Sequence, residues 1–293
     1  MDTESAIQEL MDPWEKTMSS TQSIESVRSP AVASLFYPGN PLELQQNVRE
    51  LLDAASQDVD LPDDRILRAL IVPHAGYVYS GSTAAKAYHL LKNYRDEFRR
   101  IILLGPAHRV WIEGIAFPGV ETFETPLGRI FLAVKQIREL LRFPEVQLRD
   151  DAHLEEHCLE VQLPFLQELL GDFDLIPGVV GETSAETFSE ILETFLQDPS
   201  CLLLLSTDLS HFLSYSEAQE MDSNTARAIE SFKEEKILPD QACGAHPLRG
   251  LLRFARNRNW NIHRLGLCNS GDTAGSKDRV VGYGAWALTE KSA

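Results

Sequence analysis

Three histidines occupy the same place relative to three apolar runs. Ile66 to Val72 leads into Pro73-His74-Ala75-Gly76-Tyr77, Ile101 to Leu104 into Gly105-Pro106-Ala107-His108, and Leu202 to Leu205 into Ser206-Thr207-Asp208-Leu209-Ser210-His211. Each run is short enough to be a strand, and in open α/β sheets ligands bind in the crevice outside the carboxyl ends of the strands. The three tips can therefore converge, which makes His74, His108, Asp208 and His211 candidates for one pocket. One histidine past a strand is commonly a hydrogen-bonded loop residue; three in one structural position call for another reason. Two chemistries suit the set. Neutral imidazoles with a carboxylate or thiolate hold a divalent cation and leave positions open for substrate or oxygen. Alternatively, a histidine and a carboxylate exchange protons as general acid and base without metal.

A second group lies in Glu155-Glu156-His157-Cys158-Leu159-Glu160-Val161-Gln162-Leu163-Pro164-Phe165. His157 and Glu160 are three apart and share a face if the segment is helical. They then act as orienters of a ligand or as substrate contacts. The competing reading makes Glu155, Glu156 and His157 a solvated first turn whose carboxylates suit the helix dipole. Among the four cysteines, Cys158, Cys201 and Cys268 stand in apolar or strand contexts and read as packing. Cys243 differs: it precedes a helix that Pro247 can open, where amide dipoles favour thiolate, and so reads as a reactive or ligating thiol. No CxxC pair and no secretory signal occur, which suggests a reduced, cytoplasmic chain. The chain also lacks GxSxG, GxxxxGK[ST] and GxGxxG; Gly282-Tyr283-Gly284 has neither the third glycine nor a following helix.

The elements that must carry these residues alternate along the chain. Strands are expected at Ile66 to Val72, Ile101 to Leu104, Leu175 to Val180, Leu202 to Leu205, Ile262 to Leu267 and Val280 to Leu288. Helices are expected from Pro41, with Leu44, Val48, Leu51 and Leu52 on one side, and at Ser82 to Lys92, Val134 to Leu141, His157 to Leu170, Ala185 to Leu196, Ser216 to Lys233 and Pro247 to Arg256. Such alternation predicts an α/β fold, one domain with a mostly parallel or mixed central sheet flanked by helices. Residues 1–28 are polar and read as a poorly ordered extension with one short helix around Ile7 to Met11; residues 29–293 form the domain. A composition of 43% hydrophobic residues across 293 positions excludes wholesale disorder. The apolar runs are too short to cross a membrane. With 44 acidic against 27 basic side chains, net −17, the chain repels phosphate backbones, so no nucleic-acid partner is expected. The basic stretch Arg253 to Arg264 reads as a helix end feeding a strand. Trp111 and Phe117 read as core rather than as exposed contacts.

In order along the chain, Pro73-His74-Ala75-Gly76-Tyr77 with Ser80-Gly81, Gly105-Pro106-Ala107-His108, Glu156 through Phe165, Ser206 through His211, Cys243-Gly244 and Val281 through Ala285 resemble the Memo family. Its prokaryotic branch is described as AmmeMemoRadiSam system protein B, which implies a radical SAM protein partner if this chain is prokaryotic. The family's fold is similar to the LigB-type class III extradiol dioxygenases, in which two histidines and a glutamate hold Fe(II) and a further histidine is acid/base. The resemblance implies a metal site of His74, His108 and Cys243, with His211 as the acid/base histidine and Asp208 beside it. Cys243 would stand where the dioxygenases have glutamate. A thiolate is softer than a carboxylate and is itself oxidisable, which shifts preference among metals and argues against catechol ring cleavage.

The expected function is therefore a metal-binding protein with iron- or copper-dependent redox activity on an unidentified substrate, zinc being the third candidate metal. The alternative is a non-catalytic module that captures a peptide or small ligand in the same pocket, lined by Tyr77, Tyr79, His157 and Arg109. An extradiol dioxygenase with unusual ligation comes last.

Overall fold

The computed structural model describes residues 26–55, 61 and 64–291. The short helix expected around Ile7 to Met11 lies outside the described residues. In chain order the elements are β1 (Val27–Arg28), α1 (Pro41–Ala54), β2 (Arg65–Val72), α2 (Tyr77–His89), β3 (Arg100–Pro106), β4 (Ile115–Phe117), β5 (Thr122–Thr125), β6 (Gly128–Phe131), α3 (Val134–Leu140) and β7 (Val146–Leu148). They continue with α4 (Asp150–Leu154), α5 (Leu163–Leu169), β8 (Asp174–Val180), α6 (Ala185–Phe195), β9 (Cys201–Ser206), β10 (His211–Leu213), α7 (Tyr215–Glu230), α8 (Ala245–Asn257), β11 (Asn261–Asn269) and β12 (Val280–Lys291).

All six apolar runs are strands, and they supply most of one mixed sheet ordered β10-β12-β2-β9-β3-β8-β4-β7, with β11 beside β12. Its centre, β2-β9-β3-β8, is parallel throughout, whereas β12 joins β2 and β4 joins β8 antiparallel. Those central strands are near-continuous hydrophobic runs because both their faces are covered. Val72 pairs with Ser206 and Leu104 with Leu205, so the chains leaving β2, β9 and β3 emerge side by side at one rim. A second sheet, β1-β5-β6, is built from strands of two to four residues that carry no readable periodicity. The result is a single α/β domain with mixed sheets flanked by helices.

Local chemistry sets the helix ends. Asn40 caps α1, its side chain accepting from the amides of Leu42 and Glu43, and Pro41 opens the first turn. Helix α2 starts at Tyr77, earlier than the expected Ser82, directly after Gly76. The helix expected over His157 to Leu170 is shorter than that: α5 begins at Leu163 behind a 3₁₀ turn at Glu160–Gln162. The Glu156 carboxylate accepts the amides of His157 and Cys158 ahead of that turn. Arg28, assigned from sequence to the extension, instead lies in β1 and is buried. Phe117 is core, as expected, but Trp111 is 72% exposed. The arginines of the 253–264 stretch face carboxylates, Arg253 with Glu186, Arg256 with Glu234, Arg258 with Glu193 and Arg264 with Glu230. No helix among the described residues is long and apolar enough to cross a membrane.

Candidate metal centre

At the rim formed by β2, β9 and β3, His74 and His108 meet a third imidazole, His157, which comes from the segment between α4 and α5, whereas His211, the histidine expected from the β9 side, lies in β10 outside this group of three. Ring nitrogens of His74, His108 and His157 lie within 4.8 Å of one another, and the rings of His108 and His157 stack at 4.7 Å between centroids. His74 stands edge-on to both, at 5.1 Å from His108 and 5.4 Å from His157. His74 is buried and His108 exposed, so the cluster opens to solvent on the His108 side.

Two of the rings are held in one tautomer by their surroundings. Ser206 Oγ donates its only proton to the carbonyl of Cys158 at 2.6 Å and accepts from Gln162 Nε2 at 3.0 Å. Its remaining lone pair faces His74 Nδ1 at 2.8 Å, so Nδ1 is the donor and Nε2 keeps a free lone pair. Gln162 is itself fixed, donating to the carbonyl of Pro73 and accepting from Tyr88 Oη. At His108, Nδ1 donates to Glu156 Oε1 at 2.9 Å, which likewise frees Nε2. A ligating histidine is ordinarily oriented through its other ring nitrogen in this way.

Glu156, read from sequence as a solvated turn residue, is almost wholly buried and organises this side of the site. Besides the His108 ring it accepts from the amides of His108, His157 and Cys158. Burial alone would raise its pKa, but the donors from His108 and His157 outweigh it and hold the carboxyl well below the usual range. His157 Nδ1 also faces this carboxylate, 3.3 Å from Oε1. The Glu-His dipeptide was the available signal, and it was obscured by the neighbouring Glu155, which makes the pair look like a charged helix start.

Cys243 and Asp208 close the other side. Cys243 Sγ is 3.3 Å from His74 Nε2 and accepts from the Asp208 amide at 3.2 Å. Helix α8 starts at Ala245, so Cys243 sits just ahead of the Gly244 cap. The protein surroundings alone do not favour the expected thiolate: burial and the nearby Asp208 charge push the thiol up to about 12, against the opposing amide donors. Asp208 Oδ1 accepts the His74 amide at 2.7 Å, and burial raises this carboxyl to about 7. Burial likewise holds His74 well below, and His211 below, the ordinary imidazole value, so both rings are neutral at pH 7. His211 sits at a bulge where β10 meets β12, next to Phe212, whose φ of 59° is a strained value for an aromatic residue.

Two of the sequence-derived candidates lie elsewhere. Glu160 points away from His157 and into a buried cluster with Arg28, Tyr37 and the amides of Ala31 and Val32, because the 3₁₀ turn begins at Glu160 and leaves His157 outside it. Tyr77 is a core strut, donating to the carbonyl of Val161 at 2.8 Å. Ser206, Gln162 and Glu156 are the site residues that sequence reasoning did not single out.

The donor set fits a cation. It offers three imidazoles, two of them held by fixed partners at Nδ1 with Nε2 facing the cluster, and a sulfur beside one of them, a mixed nitrogen and sulfur environment suited to transition metals or zinc.

A family profile described as "Memo-like protein" matches residues 28–287. A protein of Sulfolobus acidocaldarius described as "MEMO1 family protein" is 32% identical over 288 residues, covering 88% of this chain and 97% of the relative. Its namesake from Aquifex aeolicus is 31% identical over 268 residues, with the same coverages. Among solved structures, an uncharacterized protein JW3007 from Escherichia coli K12 aligns with a TM-score of 0.45 and 13% identity over 74% of this chain and 99% of its own.

Proposed function

This chain belongs to the Memo-like protein family, and from that premise we propose that it binds a redox-active metal, iron or copper, and carries out redox chemistry on a substrate still to be identified. His74, His108 and Cys243 are the ligands in this reading, with His157 completing the imidazole face. The observation that carries it is the three-imidazole cluster whose His74 and His108 Nδ1 protons are tied to Ser206 and Glu156, leaving both Nε2 atoms to donate.

When bound, the metal would supply one-electron chemistry and a Lewis-acidic face. The chain's own groups do the rest. Ser206 and Glu156 fix the ring orientations of His74 and His108 and aim their Nε2 atoms; Asp208, raised to about 7, can hold or release a proton near neutral pH; His211 offers a neutral imidazole as acceptor. The Cys243 thiol must lose its proton to ligate, so metal uptake should release protons.

Metal analysis of anaerobically purified protein tests this reading, comparing wild type with His74→Ala, His108→Ala, His157→Ala and Cys243→Ala. Loss of bound metal in the ligand variants is expected; equal content in all samples removes the ligand assignment.

A second reading, capture of a peptide or small ligand without turnover, is favoured by one feature. Apolar side chains follow the site residues closely and stay exposed, Val78 after His74, Trp111 after His108 and Phe212 after His211. Metal-loaded protein that consumes neither oxygen nor peroxide with varied reductants would favour that reading.

A further inference from the structure

The segment that carries Glu156 and His157 is held in place from outside the rim. Arg28, in β1, is buried and spends its guanidinium in three directions. Nε donates to the carbonyl of His153 at 3.0 Å, Nη2 to the carbonyl of Glu156 at 2.7 Å, and Nη1 pairs with the Glu160 carboxylate. The plane also lies over the Phe123 ring at 5.3 Å. Glu160, fully buried, accepts from the amides of Ala31 at 2.7 Å and Val32 at 3.0 Å and from Tyr37 Oη at 2.5 Å. Residues 28–37 are thus wrapped around one carboxylate. From this wrap Phe36 packs on the His157 ring at 4.9 Å, and its carbonyl accepts the Tyr77 amide at 2.8 Å, three residues beyond His74.

We infer that Arg28 is a positioning residue of the metal site: its guanidinium, locked on Glu160, fixes the carbonyls of His153 and Glu156 and so sets the segment that aims His108 and His157. This rests on the metal-binding reading above and adds to it a residue that touches no ligand atom. Only a guanidinium fits, because a planar fork serves two carbonyls and a carboxylate together, whereas an ammonium is a point charge on a flexible stem. Burial makes each lost partner costly, since the two carbonyls and the carboxylate have no water to turn to.

The test uses Co²⁺ as the probe and the full chain as Arg28→Lys, with Glu160→Gln as a second variant if the first does not fold. Leu140→Ala, in α3, serves as a destabilised control. Outer partners of metal sites are worth roughly 10- to 100-fold in affinity, so Arg28→Lys should weaken Co²⁺ binding by about that factor. It should also shift the ¹⁵N resonances of the His108 and His157 rings in metal-free protein, while Leu140→Ala lowers Tm but leaves both readouts at wild-type values. Wild-type affinity and unmoved ring resonances in Arg28→Lys overturn the inference; so does an equal loss of affinity in Leu140→Ala. If wild-type protein takes up none of Co²⁺, Fe²⁺ and Cu⁺ the metal reading itself fails, and the ring resonances of the metal-free variants still decide the role of Arg28.

Discussion

Glu156 shows how burial changes what a residue does. The same carboxylate that reads as a solvated turn receives four donors, and its low pKa keeps it charged among three imidazoles. Replacing it by glutamine turns one acceptor oxygen into a donor that faces N–H groups. Glu156→Gln should therefore lose about 1–3 kcal/mol of stability and weaken metal binding, measured by urea denaturation and by Co²⁺ titration; wild-type values in both would show that the carboxylate is only incidental. Ser206→Ala removes the acceptor for His74 Nδ1 and leaves Gln162 Nε2 and the Cys158 carbonyl without that partner, so it should weaken metal binding and also cost about 1–3 kcal/mol of stability, checked by the same pair of measurements. His153 gives a pH prediction. Its Nε2 bonds to the carbonyl of Ala116, its Nδ1 is buried without a partner, and burial lowers its pKa from 6.5 to about 4. The unfolded chain then binds more protons than the folded one between those values, so this group's contribution is complete above pH 6.5 and is lost as pH falls toward 4. The loss is on the order of 3 kcal/mol. Thermal denaturation across that window should fall less steeply in His153→Gln than in wild type; parallel curves would refute the assignment.

At the scale of elements, the decisive fact is that β2, β9 and β3 are parallel neighbours. Parallel strands end at the same rim, so His74, His108 and Asp208, distant in sequence, come together there, and the segment after α4 adds His157. Close approach at that rim depends on Gly105 near the end of β3, where an added Cβ would stand 2.7 Å from Cys158 Sγ and 3.0 Å from Leu159 Cδ2. Gly105→Ala should push the 156–159 segment outward, cost roughly 1–3 kcal/mol and impair metal uptake, as measured by denaturation and metal analysis. Unchanged uptake would mean that the segment tolerates the shift. The six long strands were legible because each is a hydrophobic run bounded by turn residues. Strands β4 to β7 and β10 were not, since three or four residues carry too little pattern and their pairing comes from distant partners such as Arg28. Helix α5 was overextended because the apolar pattern from His157 onward is equally met by a 3₁₀ turn at Glu160–Gln162 that runs into the helix at Leu163.

Over the whole molecule, a net charge of −17 surrounds the site with a field that favours cations. Raising NaCl from about 0.05 to about 0.5 M shortens the screening length to a few ångströms, so the affinity for Co²⁺ should fall; no salt dependence would mean that the local ligands act alone. What the sequence determined by itself was the alternation of elements, the common position of three histidines past three strands, and the ordered motifs that mark the family. These are local properties, written in hydrophobic runs and turn residues that neighbouring residues suffice to define. Only the tertiary structure decided that Glu156 is buried and Glu160 faces Arg28, which ring nitrogens keep their protons, and that burial beside Asp208 outweighs a helix start at Cys243. Each of those outcomes depends on which groups lose water and which partners replace it, and that is settled by packing between segments 35 to 132 residues apart as well as by neighbours in the chain.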